Sequence, residues 1–150
     1  MKRYTWPLAV FAIATLVIFV SCDPDEPQAP TQTELLTSGT WKFQSATHAT
    51  LGDISTQPAI ACFVDNTLTF AASGGYTVTE GTVVCSPTTA GTGTWSFKPV
   101  DSITLSTSLV PGVAAGSFKI NSLTATNLVL AQNVALGPIP SALVTVTFKH

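Results

Sequence analysis

The chain has 150 residues, eight acids against six Lys and Arg, and a formal net charge of −2. Charged residues are sparse, and no basic stretch exceeds Lys2-Arg3, which argues against a nucleic-acid surface. The length accommodates one domain plus short flanking segments.

Residues 1–21 carry the pattern of an export signal. Lys2 and Arg3 form a basic start, and an apolar run of thirteen residues follows, Leu8 to Val20. A bilayer span takes about 20 residues, so this run fits a signal-peptide core instead. It ends in Phe19-Val20-Ser21-Cys22, which resembles the lipobox read by lipoprotein signal peptidase, with Phe19 where Leu is usual. Cleavage there would start the mature chain at Cys22, acylated on its sulfur and its new amine. Two or more acyl chains anchor a protein stably. The competing reading is an ordinary secretory leader in which Cys22 is incidental.

Residues 22–34 are predicted to be an unfolded linker. From Asp23 to Glu34 there are three prolines and no aromatic residue. Such a stretch cannot bury a core. At about 3.1 Å per residue it would hold a domain on the order of 30 Å from its anchor. Beyond the leader, four lysines and eight acids leave a net charge near −4.

The folded domain is expected over 35–150. A single helical turn is predicted at 33–37, closed by Gly39. Eight alternating runs follow, around Trp41-Phe43, Leu68-Phe70, Tyr76-Val78, Trp95-Phe97, Ile103-Leu105, Phe118-Ile120, Leu128-Leu130 and Val144-Phe148. Alternation with period two means one buried and one wet face. Ser73-Gly74-Gly75, Pro99 to Asp101 and Ala125-Thr126-Asn127 read as hairpin turns. Short links between sequence neighbours predict an all-β, eight-stranded antiparallel up-and-down barrel. Its interior would hold packed side chains or one small ligand. The same alternation puts His48 outward, beside Lys42 and Gln44.

Cys62 and Cys85 remain after Cys22 is assigned to lipid. In an exported chain a disulfide is the default. It would contribute about 3 kcal/mol by restricting the unfolded chain. A reactive thiol pair is the alternative, but no cation neighbours either cysteine in sequence. Catalytic patterns are lacking. His48 and His150 are the two histidines, and no zinc spacing, EF-hand loop or phosphate loop occurs. Asp65 and Glu80 could meet as a carboxylate pair, or serve as a turn former and a solvated acid. The expectation is a protein that is not an enzyme and holds no metal or cofactor.

Several short motifs fall in a telling order. Gly39-Thr40-Trp41 opens the first strand. Cys62, Asp65, Leu68 and Phe70 follow, then Gly75-Tyr76, Gly81 and Cys85. Gly93-Thr94-Trp95-Ser96-Phe97 comes next, then Ile120, Leu123 and Leu128-Val129-Leu130. This order resembles the lipocalin-like domains of Bacteroidota lipoproteins, over residues 39–149. The resemblance implies an eight-stranded barrel, no established activity for most members, and a basic residue of the last strand over the first-strand Trp. Lys149 is the nearest match, although its alternation places it opposite Phe148. Asp23-Pro24-Asp25-Glu26-Pro27 resembles the acidic surface-export signal of such lipoproteins; the alternatives are that Asp23 resembles the inner-membrane retention signal of enterobacterial lipoproteins, or that the run is a solvated stretch of linker.

Two functions stay open. One is an outer-membrane, cell-surface lipoprotein whose barrel binds a small apolar ligand, with Trp41, Phe43, Tyr76, Trp95 and Val113 as candidate contacts. The other is a structural or protein-interaction module with a side-chain-filled barrel. Each Trp either packs the core or stacks on a ligand. The uncharged loop from Val110 to Gly116 is a lid, a docking surface or a loosely packed connection. The inward set is bulky, which favours a small cavity.

Overall fold

The computed structural model describes residues 28–107, 109, 115–136 and 139–150. Cys22 and Val113 lie outside the described residues, as does the whole leader. A short helix, α1 (Gln32–Thr37), comes first. Its start is a capping box: Glu34 N donates to Thr31 Oγ1 at 3.2 Å, and Thr31 N donates to Glu34 Oε2 at 2.7 Å. Two donors at the helix start, Thr31 N and Glu34 N, are thereby satisfied reciprocally. Leu36 is the residue it buries.

Strand β1 (Thr40–His48) follows, then a two-residue strand β2 (Gly52–Asp53) and a single-turn helix α2 (Pro58–Ala61). The rest is a meander: β3 (Thr67–Phe70), β4 (Gly75–Thr79), β5 (Gly91–Lys98), β6 (Ser102–Leu105), β7 (Gly116–Leu123), β8 (Asn127–Leu136) and β9 (Ile139–Lys149). All neighbours pair antiparallel, and β9 returns to pair with β1. Eight strands therefore close a barrel, with β2 added beside the last two residues of β1, Thr47 and His48. The eight alternating runs of the sequence are the eight barrel strands. Neither β2 nor α2 was expected, since two and four residues show no periodicity.

Inward side chains form one core, from Trp41 and Leu68 to Leu128 and Phe148. One expectation fails. His48 is buried, at 2% exposure. The register between β1 and β9 jumps between Phe43 and Ser45, leaving Gln44 as an extra residue. A bulge of this kind inverts the strand's parity. Trp41 and Phe43 therefore share their face with Ala46 and His48. The His48 ring is satisfied locally: Nδ1 accepts from the N–H groups of Thr50, at 3.2 Å, and Leu51, at 3.3 Å.

Two glycines are required by geometry. Gly74, at φ +90°, turns the β3–β4 hairpin. Gly93 faces Tyr76 across β4 and β5, and a Cβ there would fall 2.6 Å from the Tyr76 ring. The ring lies across the strand, and its hydroxyl donates to Thr107 O at 3.0 Å.

Candidate functional site in the barrel interior

The barrel has a closed end and a mouth. At the closed end, Trp41 is fully buried and its Nε1 donates to Leu36 O at 2.8 Å. Above Trp41 stacks the ring of His150, with centroids 3.8 Å apart and planes at 31°. His150 Nδ1 donates to Thr40 O at 3.1 Å, and Nε2 sits 3.1 Å from Ser38 Oγ. The group over the first-strand Trp is thus His150 and not Lys149. Lys149 is exposed and points outward, because it follows the inward Phe148 on a regular stretch of β9.

Trp95 and Tyr76 pack in the core beside Phe70. Phe70 meets Trp95 edge-on at 6.1 Å and Tyr76 at 5.7 Å. Trp95 Nε1 donates to Ala71 O at 3.1 Å. Trp41, Tyr76 and Trp95 each spend their polar atom on the protein itself, as buried aromatics usually do.

Phe43 lies elsewhere. It borders an apolar cavity with Ala46 and Leu68, and with Phe118, Leu130, Val146 and Phe148 from the last three strands. Ile60 and Phe63, on and just after α2, and Leu109 complete its wall. The cavity measures about 20 Å³, the volume of a single water. Of the four aromatic candidates, only Phe43 touches it. Leu68, Phe118 and Phe148 were legible as inward positions. Ile60 and Phe63 were not, because they sit in the long connection between β1 and β3.

The mouth is braced by that connection and by the loop from Glu80 to Ala90. Cys62, the C-cap of α2, is disulfide-bonded to Cys85, with Cα atoms 5.1 Å apart. Asp65 Oδ2 accepts from Thr82 N at 2.6 Å and Val83 N at 3.1 Å. The Val83 bond is the main reason its carboxyl is held below the usual carboxylate range. Glu80 accepts from Thr89 N at 2.7 Å, Thr88 Oγ1 at 2.7 Å and Cys85 N at 3.3 Å. Those donors, the Thr89 N–H foremost, lower its pKa from 4.5 to about 2. Hydrogen bonds to a charged form favour it. Both acids therefore organise one loop, each through its own set of donors.

A pH dependence follows. Glu80's folded pKa lies below its ordinary 4.5, so its stabilisation is complete above 4.5 and is lost as pH falls toward about 2. Melting temperatures between pH 6 and pH 2 should decline, and Glu80→Gln should flatten part of that decline. An unchanged acid limb in Glu80→Gln would show that the bonds to the 80–90 loop do not act on stability.

Among the described residues, no three His, Cys, Asp or Glu side chains are grouped to hold a metal ion. Comparison with curated proteins gives no match. Residues 37–130 match the family model for the lipocalin-like domain. That span covers most of the barrel, from the end of α1 into β8, and by it the chain belongs to the lipocalin-like domain family.

Proposed function

We propose that this chain is a lipid-anchored surface lipoprotein of the outer membrane whose barrel takes a small apolar ligand at its mouth. The observation that carries the binding role is the cavity beside Phe43. It is lined by apolar side chains alone, and part of its wall comes from α2 and Leu109 instead of a paired strand. Such a wall can move without breaking the sheet's ladders, and sites of this kind are mostly apolar. At about 20 Å³ the closed cavity admits no organic ligand, so binding requires displacement of Ile60, Phe63 or Leu109. The anchor rests on Ser21-Cys22 after the short apolar run. With α1 at the closed end, a tether entering before residue 28 would leave the mouth free.

The small volume also favours the second reading, a filled barrel that serves as a structural or protein-interaction module. One substitution separates them. Ala46 is fully buried and lines the cavity. Ala46→Leu should fill it at a stability cost of about 1–3 kcal/mol. If the barrel binds, the parent protein will take up an apolar fluorophore at one site per chain and Ala46→Leu will not. No uptake by the parent, or equal uptake by both, leaves the filled module. For the anchor, Cys22→Ala should remove acyl mass and move the protein out of the membrane fraction. Retention of both would refute the lipobox reading.

A further inference from the structure

Charge is divided along the barrel axis. Strand β1 begins at the closed end, so antiparallel pairing puts the turns 71–74, 99–101 and 124–126 at that end too. All four lysines of the domain belong to it. Lys98 ends β5 beside the 99–101 turn, and Lys119 pairs with Ser102, the first residue after that turn. Lys149 pairs with Asn127, the first residue after the 124–126 turn, and with Lys42. All four are exposed, and none has an ion pair among the described residues. Asp53, Asp65 and Glu80 lie at the mouth, where each accepts from nearby N–H donors. Among the described acids, Glu34 and Asp101 stand with the lysines. With histidine neutral, four lysines against two acids leave the closed end two positive side-chain charges in surplus, while the mouth carries three negative ones.

The lysines also straddle that end. β5 and β7 carry one pair, β9 and β1 the other, with β8 between them on one side and β3 and β4 on the other. A flat surface laid across the end meets both pairs, whereas a small anion meets one. The 99–101 turn presents Val100, 86% exposed, with φ +65°. A β-branched residue in this left-handed region is an outlier that carries strain. Ser102 Oγ, donating to Val100 O at 3.1 Å, and Ile120 N, donating to Asp101 O at 2.7 Å, hold the turn there. An apolar side chain is thus kept outward among the lysines. The chain enters at the same end, because α1 is fixed to the barrel floor by the bond from Trp41 Nε1 to Leu36 O.

We infer that the closed end of the barrel docks on a lipid surface, its two lysine pairs on the phosphate headgroups, so that the mouth faces away from the membrane. The inference takes its tether from the lipid-anchor reading above; the contact itself needs no acyl chain. A linker on the order of 30 Å keeps the domain concentrated at the surface, where a weak attraction is enough to orient it. A ligand or partner then meets the mouth from the side away from the bilayer.

Vesicle sedimentation of the mature chain carrying Cys22→Ala tests it, because no acyl chain then contributes. Failure of the anchor reading shows separately, as missing acyl mass in the parent. Each net charge near an anionic surface is worth about fivefold in partition. Vesicles with roughly one third phosphatidylglycerol should therefore bind the chain about twenty-fivefold better than pure phosphatidylcholine. The preference should vanish in about 0.5 M salt. Lys98→Gln with Lys119→Gln removes the surplus, and so does Lys42→Gln with Lys149→Gln. Each double variant should bind both vesicles alike. The second should keep or raise its melting temperature, since like charges directly opposite each other destabilise a sheet. On the anionic vesicles all four lysines of the bound chain should be protected from acetylation. Equal partition of the parent onto both vesicles would overturn the inference, as would a preference kept in either double variant. Protection of one pair alone would place the contact on the barrel's side and overturn it too. So would displacement by inorganic phosphate at constant ionic strength, which would mark a small-anion site.

Discussion

Trp41→Ala should be the most damaging single substitution in the domain, lowering the free energy of unfolding by about 3–5 kcal/mol. Three effects converge on this side chain. It is fully buried at the closed end, so its loss leaves a large void. Its Nε1 hydrogen bond to Leu36 O holds α1 against the barrel floor. Its indole is the platform on which His150 stacks, so the last strand loses its terminal contact as well. Against a typical total of about 5–15 kcal/mol, the variant would unfold well below the parent's melting temperature. Urea denaturation measures this directly. Trp41→Phe separates the effects, because it keeps most of the volume and removes the N–H donor. It should cost about 1–3 kcal/mol, the range for a buried acceptor left unsatisfied. A loss under about 1 kcal/mol in Trp41→Ala would contradict the role of floor plug, since a fully buried Trp has no way to relax so cheaply.

Removing the disulfide should come next. Cys62→Ala with Cys85→Ala opens a loop whose ends are 23 positions apart, and should cost about 3 kcal/mol in the chain-entropy description. For a domain of this size that corresponds to a fall in melting temperature of roughly 10 °C or more. The location adds a second consequence. Cys62 caps α2, and Ile60 and Phe63 on either side of it wall the cavity. Without the bridge, α2 is held to the 80–90 loop mainly by the bonds to Asp65. If the mouth opens there, the variant or the reduced protein should take up an apolar fluorophore more readily than the oxidised parent, at temperatures where both are folded. Equal stability with and without reductant would show that the bridge restrains nothing the fold does not already hold.

Much of the barrel was legible in the sequence because a half-buried strand writes its two faces directly into alternate residues. Leu68 and Phe70, Tyr76 and Val78, Ile103 and Leu105, and Phe118 and Ile120 alternate with Thr, Ser and Lys, and all eight are buried. The turn at Gly74 and the pairing of Cys62 with Cys85 were readable for equally local reasons, a glycine pair between two alternating runs and the two cysteines left once Cys22 is set aside. The site was much less legible. His48 was expected outward, and only the β1–β9 register shows the bulge at Gln44 that turns it in. Nothing in the run Trp41 to His48 marks that bulge, since it falls between the stretch that pairs with β3, ending at Lys42, and the stretch that pairs with β2, starting at Thr47, while β9 pairs along both. His150 took the place expected of Lys149 because ring stacking depends on where the end of β9 meets Trp41, which no spacing in one strand specifies. Ile60 and Phe63 wall the cavity from a helix of four residues, too short to show a period. The facing of Lys42 and Lys149, 107 positions apart in the chain, exists only because the barrel closes. Periodicity is a property of one strand and survives in sequence; register, closure and what a loop covers are properties of pairs, and only the folded chain decides them.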